Sequence, residues 1–379
     1  MNHILGLLPA EISKYFAENK IAKYRVSQLF EWLYDKMEIN HQKMSSLPEN
    51  LRQKLTEKFA FNLPQFKIFV SQDGTQKILL ELFDGNKIEM VLIPNGDKNT
   101  LCISSQVGCA RDCQFCATAK LGLKRNLEVH EIISQIYLAK QILAEKKLTN
   151  IVFMGMGEPL DNYENVLKSL KILQNESCFN FSPRKITIST AGVIPQIAKL
   201  AESRVKVKLA VSLNSAIQEK REKLMPISKR YPLSELKKTL QDFRKNTAYR
   251  ITFEYVMLKN FNIDEKDVKA LRKFLGDMSC KLNVIKWNAV DNLPYETPSE
   301  KEIEKFINDV KHHNYAVMYR RSRGDDIAAA CGQLAVNNEE TLTQKDAESY
   351  DKERGTNQKN DFNQIGGIKM CTLSKHCFV

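Results

Sequence analysis

The sequence contains no apolar run approaching the length that crosses a bilayer, which excludes a bundle of membrane-spanning helices. Its first nine residues, Met1 to Pro9, lack a basic stretch followed by a long apolar core and a cleavage site, so the expected compartment is the cytoplasm. No dinucleotide-type glycine fingerprint follows any strand-like run, which weakens the case for an open doubly wound sheet. An even disulfide framework is also missing. The nine cysteines are an odd number, and three of them stand within residues 109–116, which favours metal and thiol chemistry in a reducing environment.

What is present suffices for a large core, with 43% of the 379 residues hydrophobic. The 57 Lys and Arg exceed the 45 Asp and Glu, giving a formal net charge of +12 that favours polyanions, nucleic acid before membrane. Residues 1–62 read as a small basic helical module, with Val26, Leu29, Phe30 and Leu33 at helical spacing and a second helix at 51–59. It serves either to cap the larger domain or to grip nucleic acid. Residues 63–97 read as an antiparallel meander whose turns fall at Asp73-Gly74 and Asp84-Gly85. Glu89 in its last strand reads, by alternation alone, as a solvated glutamate.

From 98 to 336 strand and helix alternate. Strands are expected at 101–104, 150–154, 185–189, 206–212, 250–257, 281–288 and 316–320, which implies an α/β fold with a parallel sheet closed into a partial (β/α) barrel. Polar and glycine residues gather at the strand ends: Gly155, Gly157, Glu158, Ser189, Ser212, Asn214 and Asn288. Such a rim lines a ligand site. Residues 337–379 lose the apolar periodicity and read as a disordered tail, in which Cys371, His376 and Cys377 make too small a set for a metal knuckle.

The densest chemistry is Cys109-Ala-Arg-Asp-Cys113-Gln-Phe-Cys116. Three thiolates can hold three irons of a cubane and leave the fourth open to a ligand, whereas a structural zinc site wants four protein donors. A zinc site with a distant fourth ligand, or three cysteines that merely pack, are the alternatives. Cys178 and Cys280 have no such context and read as packing residues.

This loop, followed by Gly155-Met-Gly157-Glu158-Pro159, resembles the radical S-adenosylmethionine superfamily. More narrowly, the blocks at 102–109, 123–127, 153–159, 224–227 and 323–334 resemble the bacterial RlmN family, over residues 21–335. The resemblance implies a radical-type partial barrel with a helical accessory domain, and methylation of carbon 2 of an adenine in large-subunit ribosomal RNA and in transfer RNA. It implies one 4Fe-4S cluster on Cys109, Cys113 and Cys116, and two S-adenosylmethionine molecules per turnover. Gly157 and Glu158, with Ser189, Ser212, Leu213, Asn214 and Asn288, match the family's contacts to that cofactor. Cys331 matches the methyl carrier, Cys102 its transient disulfide partner and Glu89 the proton acceptor, with Cys102 as the other group able to take the proton. A low-potential flavodoxin or ferredoxin donor and a monomer are further expectations.

Arg323-Gly-Asp-Asp326 favours carbon 2 over the carbon 8 of a sister family, although Ala328 stands where the family usually carries an acid. Lys124-Arg125, Arg184-Lys185, Lys229-Arg230 and Arg320 to Arg323 are expected near the mouth as phosphate contacts, where a structured RNA presents an unstacked base. The rivals are the carbon 8 methylase and a zinc-stapled RNA-binding protein.

Overall fold

A computed structural model describes residues 2–336; Met1 and the stretch 337–379 with Cys371, His376 and Cys377 lie outside the described residues. Helical spacing governs the N-terminal segment. Its helices α1 (Pro9–Glu18), α2 (Tyr24–Phe30) and α3 (Glu49–Lys58) bury Ile12 and Phe16, Leu29 and Phe30, and Leu51 and Leu55 respectively. A parallel pair of short strands, β1 (Asn2–His3) and β2 (Phe59–Ala60), closes the module.

Period-two runs then build a meander, β3 (Gln65–Val70), β4 (Gln76–Glu81) and β5 (Lys87–Asn95). The next strand, β6 (Lys98–Cys102), pairs antiparallel with β5 on one side and parallel with β9 (Asn150–Phe153) on the other. Meander and barrel therefore share one sheet. A small hairpin, β7 (Gln106–Gly108) and β8 (Leu123–Asn126), flanks the cysteine loop and the short helix α4 (Ala117–Lys120).

The remaining strands are β10 (Ile186–Thr190), β11 (Lys208–Ser212), β12 (Thr252–Met257), β13 (Lys281–Lys286) and β14 (Ala316–Arg320). The sheet order is β14-β13-β12-β11-β10-β9-β6-β5-β4-β3, with every pair from β6 to β14 parallel. Each crossover carries helix: α5 (Val129–Leu143), α6 (Tyr163–Gln174), α7 (Ile194–Glu202), α8 (Gln218–Leu224), α9 (Ile227–Arg230), α10 (Leu233–Lys245), α11 (Glu265–Leu275) and α12 (Glu300–Val310). Parallel strands need such crossovers, and their helices bury one apolar stripe against the sheet. Helix α11 shows how: Asp264 caps it by accepting from the backbone N–H groups of Lys266 and Asp267, and Val268, Leu271, Phe274 and Leu275 face inward. The expected partial barrel is what forms.

The N-terminal module packs on the helical flank. Tyr34 meets Phe179 edge-on at 4.9 Å, Lys168 Nζ lies 2.7 Å from Glu11, and Gln141 Nε2 donates to the Met37 carbonyl at 3.2 Å. Among the described residues, no helix is long and apolar enough to cross a membrane.

Candidate active site

The cysteine loop is shaped by backbone before side chains. At Gly108, φ is +77° and a Cβ would stand 1.8 Å from the Gly122 carbonyl oxygen, so only glycine lets β7 close on the far side of the loop. Cys109 N–H then donates to Gly122 O at 2.9 Å, and Gln114 N–H to Leu224 O at 2.9 Å. These bonds turn Cys109, Cys113 and Cys116 toward one cavity at the C-terminal ends of the strands. Burial pushes the Cys109 thiol up to about 12 and raises Cys113 and Cys116 as well, and Cys116 and Cys109 each push Cys113 further.

Three half-buried cysteines whose thiolates are disfavoured by desolvation and by neighbouring thiols fit a centre that supplies positive charge. Among the described residues no group of three or more His, Cys, Asp and Glu side chains could hold a single metal ion. The three cysteines all line the same end of the cavity. Arg221 adds a second sign. It is 1% exposed and faces Cys113, and among the described residues no carboxylate pairs with it. Its guanidinium donates to the carbonyls of Ala191 (2.8 Å), Ser212 (3.0 Å) and Leu213 (3.1 Å) and to Ser228 Oγ, tying together the ends of β10 and β11. Arg221 was not among the residues expected at the site, although its place one helical turn from the buried Leu224 is a signal that could have found it.

Gly157, Glu158, Ser189, Ser212 and Asn214 line this upper lobe as expected of the rim. The backbone at Gly157 has φ +97°, and a Cβ there would meet Gln106 at 2.5 Å. Both oxygens of Glu158 are engaged by backbone, from Leu160 N–H at 3.0 Å and Ala191 N–H at 2.7 Å, and burial pushes its carboxyl up to about 7. Two of the expected residues sit apart from this group. Leu213 is fully buried and off the cavity wall, because alternation at the end of β11 turns it into the core. Asn288 lies off the upper lobe; its Nδ2 donates to the Cys331 carbonyl at 3.0 Å, and Ser322 Oγ donates to its Oδ1.

A testable pH effect follows from Glu158. Its carboxyl ordinarily titrates at 4.5, so the protonated form is favoured by the fold: that contribution is complete below pH 4.5 and is lost as pH rises through 7. A shift of this size corresponds to about 3 kcal/mol. Calorimetry of the metal-free Glu158→Gln protein should show no such loss relative to wild type, and parallel curves for the two would contradict the assignment.

A second lobe of about 670 Å³ continues below the first, and the two share a wall of Met154, Glu254, Arg320 and Cys331. Cys102, at the end of β6, lines the lower lobe with Cys331. Burial pushes the Cys102 thiol up to about 12, Cys331 adds to the shift, and the Arg320 guanidinium opposes it. The Cys331 segment is strapped across the barrel. Ser71 Oγ donates to Asp326 at 2.6 Å and Gly324 N–H to Asp73 at 3.1 Å, while Ala117 N–H reaches Gly332 O at 2.7 Å and Thr118 Oγ1 reaches Leu334 O at 2.6 Å.

Glu89 is not the solvated residue that alternation suggests. It is fully buried, with Oε1 3.2 Å from Lys77 Nζ, because β4 and β5 are covered on both faces and Ile78, Leu79 and Leu80 are all buried. Cys102 pairs with Val91, so Glu89, two residues away, shares the face of Cys102 without lining either lobe. Of the basic pairs, Arg321 and Arg323 line the lower lobe. Arg125 is taken up by Glu131 (2.7 Å) and Asp84 (2.6 Å), and Arg184 and Lys185 precede β10 at the opposite end of the barrel from the cysteine loop. Cys178 and Cys280 are buried.

Residues 103–272 match the Radical SAM superfamily, and residues 2–60 match the ribosomal RNA large subunit methyltransferase N-terminal domain. The chain is 44% identical over 336 residues to a probable dual-specificity RNA methyltransferase RlmN from Dictyoglomus turgidum, covering 88% of this chain and 97% of that protein. It is 43% identical over 326 residues to the dual-specificity RNA methyltransferase RlmN of Geotalea uraniireducens, covering 86% and 94%. A crystal structure of a radical SAM methyltransferase from Sphaerobacter thermophilus superposes with a TM-score of 0.85 at 37% identity, over 88% of this chain and 99% of that one. A radical-type barrel, a helical RNA methyltransferase module and relatives matched along nearly their whole length agree, and the chain belongs to the RlmN family of the radical SAM superfamily.

Proposed function

We propose that this protein methylates carbon 2 of an adenine in large-subunit ribosomal RNA and in transfer RNA, using Cys331 as a covalent methyl carrier. The observation that supports this most is the position of Cys331, whose residue lines both the lobe bearing the three cysteines and the lobe bearing Cys102. Cys109, Cys113 and Cys116 would hold one 4Fe-4S cluster, with Glu158, Ser189, Ser212 and Asn214 around S-adenosylmethionine. When bound, this pair supplies a methyl group and a hydrogen-abstracting radical, with two S-adenosylmethionine molecules used per turnover.

Carbon 2 of adenine is electron-poor and offers no nucleophile, so the methyl group must first rest on a protein atom. Cys331 Sγ takes it and, after loss of one hydrogen from that methyl, presents the carbon to the base. The proton released from carbon 2 goes to Cys102, which lines the lower lobe, or to Glu89 buried on the same face beside Lys77, as the adduct radical gives up one electron that the bound cluster would accept. The Cys102 thiolate then attacks the Cys331 sulfur and breaks its bond to the methylene carbon; that carbon keeps the electron pair, takes up a proton to become the methyl group of the released RNA, and the two sulfurs are left as a disulfide for later reduction. A low-potential flavodoxin or ferredoxin would supply electrons to a cytoplasmic monomer.

The test is anaerobic reconstitution, incubation with S-adenosylmethionine, reductant and unmodified large-subunit RNA, and mass spectrometry of nucleosides. 2-Methyladenosine is expected; 8-methyladenosine would move the chain's chemistry to the sister activity. Changing any one of Cys109, Cys113 or Cys116 to alanine should remove most of the iron measured by metal analysis, and zinc without iron in the wild type would contradict the cluster.

A further inference from the structure

The lower lobe contains a pair of acceptors that nothing in the mechanism above uses. Glu254 on β12 and Asn283 on β13 stand directly opposite each other in the parallel register, and both line the lobe. Asn283 Nδ2 donates to Glu254 Oε1 at 2.9 Å. Their other oxygens, Glu254 Oε2 and Asn283 Oδ1, are buried without a hydrogen-bond partner among the described residues. Glu254 is 7% exposed, and burial raises its carboxyl above the ordinary range while Arg320 opposes the shift. Buried polar oxygens are rarely left unpaired, so two side by side on a cavity wall mark the place of a missing donor.

The rest of the lobe says what kind of guest carries that donor. Its volume of about 670 Å³ is in the range of small-molecule sites. Lys208 and Lys281, at the starts of β11 and β13, line its far end, and burial together with Lys281 and Lys185 lowers the Lys208 amine. Among the described residues neither Lys208 nor Lys281 forms an ion pair, so this end suits an anion such as a phosphate. A guest with a phosphate and a polar flat head, seated beside Cys102 and Cys331, is a nucleotide.

We propose that Glu254 Oε2 and Asn283 Oδ1 receive the two N–H groups of the exocyclic amine of the target adenine, and so select adenine over other purines. This rests on the adenine-methylation proposal above. Guanine would present a carbonyl oxygen to two acceptors at the same place, and a purine lacking the amine would leave both unpaired. A site built to bond a substrate N–H discriminates strongly against an analogue without it.

The experiment compares two RNA hairpins, identical except that the target carries adenosine in one and purine riboside in the other, and reads carbon 2 methylation as kcat/KM. Wild type should prefer adenosine by about 10²-fold or more. In Asn283→Ala and Glu254→Ala that preference should collapse to about threefold or less, both hairpins reacting slowly. RNA-independent cleavage of S-adenosylmethionine at the wild-type rate in Asn283→Ala, whose residue lines only the lower lobe, shows that fold and cluster are intact, and Glu254→Gln, which keeps an acceptor oxygen, should retain part of the preference. Equal wild-type rates on the two hairpins, or a preference unchanged in variants that still cleave the cofactor, would overturn the base-reading pair alone. A wild type that cleaves S-adenosylmethionine but methylates no adenosine would instead overturn the adenine reading and this pair with it.

Discussion

Cys331→Ala should keep the iron and sulfide of the wild type and lose methyl transfer to RNA by at least about 10⁴-fold, the scale seen when a covalent nucleophile is removed. Cys109, Cys113 and Cys116, the proposed cluster ligands, lie in a different loop, and the Cys331 segment is held through backbone carbonyls and neighbouring side chains, which alanine preserves. Fold and radical chemistry are thus separable from transfer. Cys102→Ala should fail one step later, with RNA fixed to the enzyme as a band shifted on a denaturing gel. If Cys331→Ala still yields 2-methyladenosine, the carrier assignment is wrong.

Arg221→Met should destabilise the protein by about 3–5 kcal/mol, because three buried carbonyls lose their donor together. The melting temperature would fall by roughly 10 °C. Lysine is a poor rescue, since one ammonium cannot reach oxygens spread over two strand ends as a planar guanidinium does. Iron retention should fall as well, because the Arg221 cation faces Cys113 and Met brings no charge. A variant with wild-type melting and full iron would show that the carbonyls find other donors.

The strand-helix alternation was legible because each parallel strand buries a short apolar run, and the expected 316–320 coincides with β14. The three clustered cysteines were legible for a similar local reason: spacing alone brings them to one loop. What local pattern did not reveal was everything decided by distant partners. Nothing in residues 63–97 says that β5 will pair with β6 and extend the barrel sheet. Glu89 escaped because alternation marks a wet face only when one face is wet, and here Lys77, Ile78, Leu79 and Leu80 of the neighbouring strand are all buried. Asn288 was grouped with the cofactor rim by its strand end, while the Cys331 carbonyl claims its amide. Glu254 carried a usable signal, a lone acid among Phe253, Tyr255, Val256 and Met257 in a strand buried on both faces.

The strap that carries Cys331 also sets an order of events during synthesis. Its bond from Thr118 to Leu334 spans 216 positions, so a growing chain finishes the cysteine loop long before the carrier leaves the ribosome. Translation of a truncated message ending between β14 and Cys331 would yield a polypeptide with Cys109, Cys113, Cys116 and most of the strand-end rim, but without the sulfur proposed above as the methyl carrier. Such a fragment would also lack the bonds from Thr118 to Leu334 and from Ala117 to Gly332, so the last strap residues to emerge complete a wall common to both lobes.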